Sequence, residues 1–394
     1  MRCTSGTFVV WVSCLLMAFP NGSRLGHCEV SQQMTPLLLA VHDAPVPFRG
    51  SDGLVHLVYE LWLTNISSGE ANLEEVEIVG DGTVLQKLDA NGVSQRLQPA
   101  GMRESSGVVA RGTVSFLFLN VALPAGAEVP KQITHRIKAR FSAAPVGHQK
   151  ISGSGGATTP DTQRVVQVGA PLRGDHYISA DSCCDATRHT RAAMPVNGRL
   201  YVAQRYAVDW EQLDANGRIY SGPRERLESY TIFGKPVYAV ADGVVAVVVT
   251  GLPEQTPGKF PTDIPIEDAD GNAVIVDLGQ HHFALYAHMQ SASIHLKRGD
   301  RVTRGQVIGL VGNSGNSLAP HLHFHVTDSE LSLASNGLPY EIDSFKVTGK
   351  TPGTKAFDEA EADGTPLAIT PVSPPLLVKD ALPLDQLILS LTPR

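Results

Sequence analysis

An all-β chain built in two parts is what this sequence predicts, and three observations predict it. Short runs of β-branched, aromatic and apolar residues recur along the chain. Gly, Asn, Asp and Pro cluster between those runs at short intervals. No long amphipathic helical period competes with them. The 394 residues are enough for two domains of ordinary size, and 42% hydrophobic with 18% charged content reads as globular. A net charge of -7, with no long run of one sign, argues against a nucleic-acid partner.

The elements follow in order. Residues 1–28 read as an export signal: Arg2 is the basic start, and Phe8 to Phe19 is an apolar stretch ended by Pro20, Asn21 and Gly22. That stretch is too short for a stable membrane span. An exported chain, periplasmic or extracellular, can keep disulfides. Cys28, Cys183 and Cys184 remain after the signal. Adjacent cysteines rarely bond each other, so Cys28 with Cys183 or with Cys184 stays open as the pairing.

Residues 33–143 carry the strand runs Leu54 to Leu63, Val114 to Val121 and Thr134 to Phe141. They suggest an immunoglobulin-like sandwich serving as an accessory or docking module. Residues 144–175, with Ser152-Gly153-Ser154-Gly155-Gly156, read as a linker. Residues 176–345 are again mainly β, with a hairpin turning at Asp242-Gly243 and a strand pair at Ala273 to Leu278 and Phe283 to His288. Residues 346–394, with Pro371, Pro374 and Pro375, read as an irregular arm over a domain surface.

The chemistry concentrates in His321-Leu322-His323-Phe324-His325. Residues two apart in a strand share a face, so three imidazoles point one way and Leu322 and Phe324 the other. His321 and His325 would sit about 13 Å apart along the strand, so at most one neighbouring pair binds one ion. His288 in Tyr286-Ala287-His288-Met289 ends an apolar strand, and Asp209 in Tyr206-Ala207-Val208-Asp209-Trp210 is a hard oxygen donor among apolar neighbours. Each of these two alone is more often a packed or structural residue than a ligand.

Together the motifs resemble a family. Gly234 to Val244, Tyr286-Ala287-His288, Lys297-Arg298-Gly299-Asp300 with Arg304 to Gly309, and Gly312-Asn313-Ser314-Gly315 with Pro320-His321-Leu322-His323-Phe324 stand in the order found in the lysostaphin/LytM-like zinc metallopeptidases, which are peptidoglycan endopeptidases. The resemblance implies a lysostaphin-like peptidase domain with zinc. Asp209 and His323 fall on two metal-ligand positions. His288 and His321 fall on the positions that activate water and stabilise the oxyanion. It also implies a peptidoglycan peptide as substrate, with an envelope protein as a further partner.

The pattern is broken at one point. The family's first ligand is a His four residues before the Asp, and here Arg205 stands there. A guanidinium has no lone pair for a metal and would repel one. His325, His189 or a cysteine of the 183–184 pair are the candidates for the third ligand. The alternative reading is a non-catalytic peptidase-like domain that binds cell wall or regulates a partner hydrolase.

Overall fold

The structure is a computed structural model that describes residues 35–162, 165–185 and 188–391. The expected export signal and Cys28 lie outside the described residues. The described chain is all-β apart from two short α-helices and a few 3-10 turns. No described helix is long and apolar enough to cross a membrane.

The first part is a sandwich of two five-stranded sheets. Val55–Asn65 pairs with Val114–Leu123 in one sheet, and Ala71–Gly80 pairs with Ile133–Phe141 in the other. Strand periodicity sorts Val55–Asn65 into two faces. Leu57, Tyr59, Leu61 and Leu63 enter the sandwich core. Val58 joins the core of the second part, and Glu60 points the same way. One strand therefore serves two cores. Phe48 stacks edge-on against Tyr206 at 5.3 Å across the same boundary.

A polar pair is buried inside the sandwich. Tyr59 donates its hydroxyl proton to His135 Nε2 at 2.9 Å, and His135 Nδ1 donates to the Gly156 carbonyl at 3.1 Å. Burial outweighs those carbonyl contacts and pushes the His135 imidazole down to about 4. The unfolded chain takes up that proton near pH 6.5, whereas the folded chain refuses it until about 4. The contribution is complete above the unfolded value and lost as pH falls toward the folded one, up to about 3 kcal/mol. We expect His135→Leu to be less stable than wild type at pH 7 by about 1–3 kcal/mol, because the Tyr59 hydroxyl loses its acceptor. Denaturant titrations should show that gap closing between pH 7 and pH 4; a constant gap would contradict the assignment.

Two expectations change here. The Gly/Ser-rich stretch read as a linker contains the strand Lys150–Thr158, paired antiparallel with Ile133–Phe141. Its glycines are a packing requirement. A Cβ on Gly156, at φ +62°, would lie 2.7 Å from Leu61 Cδ1, and one on Gly153 2.9 Å from Thr35 Cγ2. The C-terminal segment is not an irregular arm either. It supplies helix Thr354–Asp363, strand Thr370–Ala381 and strand Leu387–Leu391. The proline-rich strand has Tyr340–Lys350 as its one partner strand among the described residues, and Pro374 and Pro375 fall in the irregularity between the pairs Leu376–Val347 and Pro371–Gly349. The helix starts after Gly353 and is ended by Gly364 in the left-handed region.

The second part is a twelve-stranded sheet. Its centre runs Gly174–Ala180, Val208–Gln212, Leu322–Thr327, Phe283–Met289, Asn272–Asp277, Gly243–Val249. Trp210, Tyr286, Leu322, Phe324 and Val326 lie on the core side.

Candidate metal and active site

Register builds the site. Asp209 sits directly opposite His323, and His323 opposite Ala287, which precedes His288. With Leu322, Phe324 and Val326 in the core, His321, His323 and His325 are left on the other face, as period two demands. Asp209, His288, His321 and His323, named from sequence alone, line one cleft of about 470 Å³.

The aspartate is the centre of the cluster. His323 Nδ1 lies 2.8 Å from Asp209 Oδ1, and His321 Nε2 lies 3.4 Å from the same oxygen. His189 Nε2 approaches the other carboxylate oxygen at 3.4 Å. Burial alone would raise the Asp209 carboxyl, but the imidazoles of His189 and His321 outweigh it and hold the group well below the usual range. Burial and the neighbouring His321 and His323 rings push His288 well down. Burial also works against a charged His321, yet Asp209 overcomes it and raises that imidazole.

Tautomers follow from backbone partners. His189 Nδ1 bonds the Asp181 carbonyl at 2.9 Å, His288 Nδ1 the Ser314 carbonyl at 2.7 Å, and His321 Nδ1 the Ala319 carbonyl at 2.8 Å. A carbonyl only accepts, so each ring keeps a proton on Nδ1 and directs Nε2 toward the cluster. His288 sits at φ +58°, a region a non-glycine residue enters at a cost. Its amide donates to the Asp270 carbonyl at 2.9 Å, and its carbonyl accepts from Gly312 at 3.0 Å.

The candidates for a third ligand separate cleanly. Donor atoms of His189, Asp209 and His323 lie within 4.8 Å of one another, as do those of His288, His321 and His323. His325 instead faces His323 from behind, with its Nδ1 2.9 Å from His323 Nε2. Cys183 and Cys184 are disulfide-bonded to each other, which overturns the open pairing with Cys28 and leaves no thiolate for a metal. Arg205 is turned away from the cleft. Its Nε and Nη2 donate to Glu60 at 3.0 and 2.7 Å, and Nη1 donates to the Gly337 carbonyl at 3.3 Å. The expected repulsion of an ion is therefore answered by a carboxylate of the sandwich.

His189 reaches the site from the loop after strand Gly174–Ala180. Ala180 pairs with Asp209, so the next residue, Asp181, is already beside the cluster, and its carbonyl holds the His189 ring. Arg188 clamps the loop to Asp181 at 2.8 Å and to Asp358 of the C-terminal helix at 2.7 Å. Arg96 of the sandwich pairs with Asp185 on the same loop. Sequence reasoning missed Glu211 and Glu361, which line the same cleft. Glu211 was detectable, being two residues beyond Asp209 on one strand face; Glu361 was not, because its helix was read as an irregular arm.

Comparison with known proteins finds endopeptidases among the similar chains. The peptidoglycan DD-endopeptidase ShyA of Vibrio cholerae is 29% identical over 178 residues, covering 40% of this chain and 37% of that protein. The glycyl-glycine endopeptidase ALE-1 of Staphylococcus capitis is 31% identical over 124 residues, covering 31% of this chain and 30% of that protein. The chain thus spans about a third of the length of these relatives. Among solved structures, the catalytic domain of lysostaphin from Staphylococcus simulans matches at 20% identity and a TM-score of 0.23, over 41% of this chain and 88% of that one. The matched family segment contains His288, His321 and His323, while His189 and Asp209 lie ahead of it: residues 229–335 match the model of peptidase family M23.

Proposed function

We propose that this chain is an exported zinc metalloendopeptidase that hydrolyses peptide bonds in peptidoglycan cross-links. His189, Asp209 and His323 would hold the metal. The observation that carries this reading is the convergence of two imidazoles and one carboxylate, with their donor atoms within 4.8 Å, in the wall of an open cleft. Two nitrogens and one oxygen suit zinc, and three protein ligands leave a position open. When bound, zinc supplies Lewis-acid polarisation and lowers the pKa of water at that position.

The chain's own groups do the rest. His189 and His321 keep their orientation through the Asp181 and Ala319 carbonyls. His323 is braced by His325 from behind. His288 and His321 stand with ring centroids 4.6 Å apart, both presenting Nε2. One of the pair accepts the proton of the attacking water and passes it to the leaving amine. The other, His321, whose charged form Asp209 favours, carries a second proton on Nε2 and donates a hydrogen bond to the oxyanion that forms at the peptide carbonyl. Relatives named as peptidoglycan DD-endopeptidases favour that substrate, and a place outside the cytoplasm, periplasmic or extracellular, goes with it.

Arg205 favours the alternative of a metal-free binding module, but its engagement with Glu60 removes the charge from the cleft. Purified full-length protein should carry about one zinc per chain, and a chelator should remove the metal and the release of peptide from peptidoglycan together. Hydrolysis that persists in zinc-free protein, or its absence in the zinc-loaded form, would sink the proposal.

A further inference from the structure

We infer that the cleft holds, beside the metal cluster, a subsite for a cationic ammonium group of the substrate peptide, formed by Glu211 and Glu361. As a substrate subsite this rests on the peptidase reading; as a binding site it does not. Both glutamates line the cleft. Glu211 follows Asp209 by two residues on strand Val208–Gln212, so it shares the cavity face while Trp210 between them is in the core. Glu361 arrives from helix Thr354–Asp363, buried with Phe357 and Ala360 on one stripe.

Charge accounting singles these two out. Asp209 is faced by three imidazoles, and Asp181 is paired with Arg188. Among the described residues, neither Glu211 nor Glu361 takes part in an ion pair, although they are only 5% and 8% exposed. Glu211 Oε2 has no hydrogen-bond partner among the described residues, nor does Asp181 Oδ1 nearby. The cations that act on them, Arg188 on both and Arg224 and His321 on Glu361, do so from beyond ion-pair distance, and burying a carboxylate without a close cation is unfavourable, so a cation entering the cleft offsets that cost. A second metal is the weaker candidate. Among the described residues, the donor groups that converge tightly enough for an ion are the two histidine clusters, and neither contains these glutamates. An ammonium carries three donors and tolerates a looser arrangement. Because Glu361 acts electrostatically on His321, the ammonium would sit in the same cleft as the reacting peptide bond.

The test uses two capped tripeptides, N-acetyl-alanyl-lysyl-alanine amide and its Nε-acetyl-lysine counterpart, titrated calorimetrically into zinc-loaded full-length protein. We expect the free-amine peptide to bind about 10- to 100-fold more tightly. Glu211→Gln combined with Glu361→Gln should bring that ratio close to one. Equal affinities in the wild type, as when the two carboxylates share a proton, overturn the inference. So does a preference that survives the double substitution, or no binding of the lysyl peptide at millimolar concentration. The wild-type comparison needs no variant to fold. Loss of the peptidase reading alone would appear differently: no hydrolysis of any peptide, with the lysine preference intact.

Discussion

His189→Ala is expected to weaken zinc binding by more than roughly 100-fold, beyond the 10- to 100-fold typical of groups that only orient a ligand. The substitution removes a buried donor 3.4 Å from the Asp209 carboxylate and leaves a cluster of one carboxylate and one imidazole. His325→Ala provides the internal control. Its ring touches His323 Nε2, not the cleft, so its loss should fall inside the 10- to 100-fold range. Competition with a chromogenic chelator reads both effects without any assay of hydrolysis. If His189→Ala binds zinc as tightly as wild type, or if His325→Ala is the more damaging change, the ligand set is wrong. Peptide hydrolysis should fall with the metal at limiting zinc and return only in part at saturating zinc, because the geometry of the remaining ligands has changed.

How much of this site could be read from sequence depends on how its parts are held. His321, His323 and His325 were legible because strand period alone assigns their face, and Leu322 and Phe324 confirm it by filling the core. His288 and Asp209 were legible through resemblance of the surrounding motifs. Their convergence was not, since it depends on the pairing of Val208–Gln212 with Leu322–Thr327. His189 could only be one candidate among several. Its place is fixed by a tight turn after Ala180 and by the Asp181 carbonyl, a contact with no periodic signature. The Gly/Ser run at 152–156 misled for a physical reason: composition that suits a flexible linker also suits a strand packed closely under Leu61. The prolines at 371, 374 and 375 misled in the same way, because a strand with one unpaired side tolerates them.

Arg205→His separates resemblance from geometry. By resemblance, the change restores a ligand four residues before Asp209 and should tighten zinc binding. By geometry, residue 205 belongs to a different environment. Its guanidinium makes a two-pronged pair with Glu60 and a third bond to the Gly337 carbonyl, with both charged side chains 6% exposed. An imidazole cannot reproduce that fork, and Glu60 is left as a buried charge without its partner. Removing one side of such a pair costs about 3–5 kcal/mol, so the variant should unfold at distinctly lower urea than wild type with little change in zinc affinity. Glu60→Ala should cost a similar amount for the mirror-image reason. Replacing both, as Glu60→Leu with Arg205→Met, should recover most of the loss, because a packed apolar pair is often as stable as a buried ionic one. Such recovery would identify the Arg205–Glu60 pair as a fastening between the sandwich and the peptidase sheet and not as a vestige of the metal site. A stable Arg205→His protein with tighter zinc would place residue 205 in the metal site after all, and His189 would then be the accessory group.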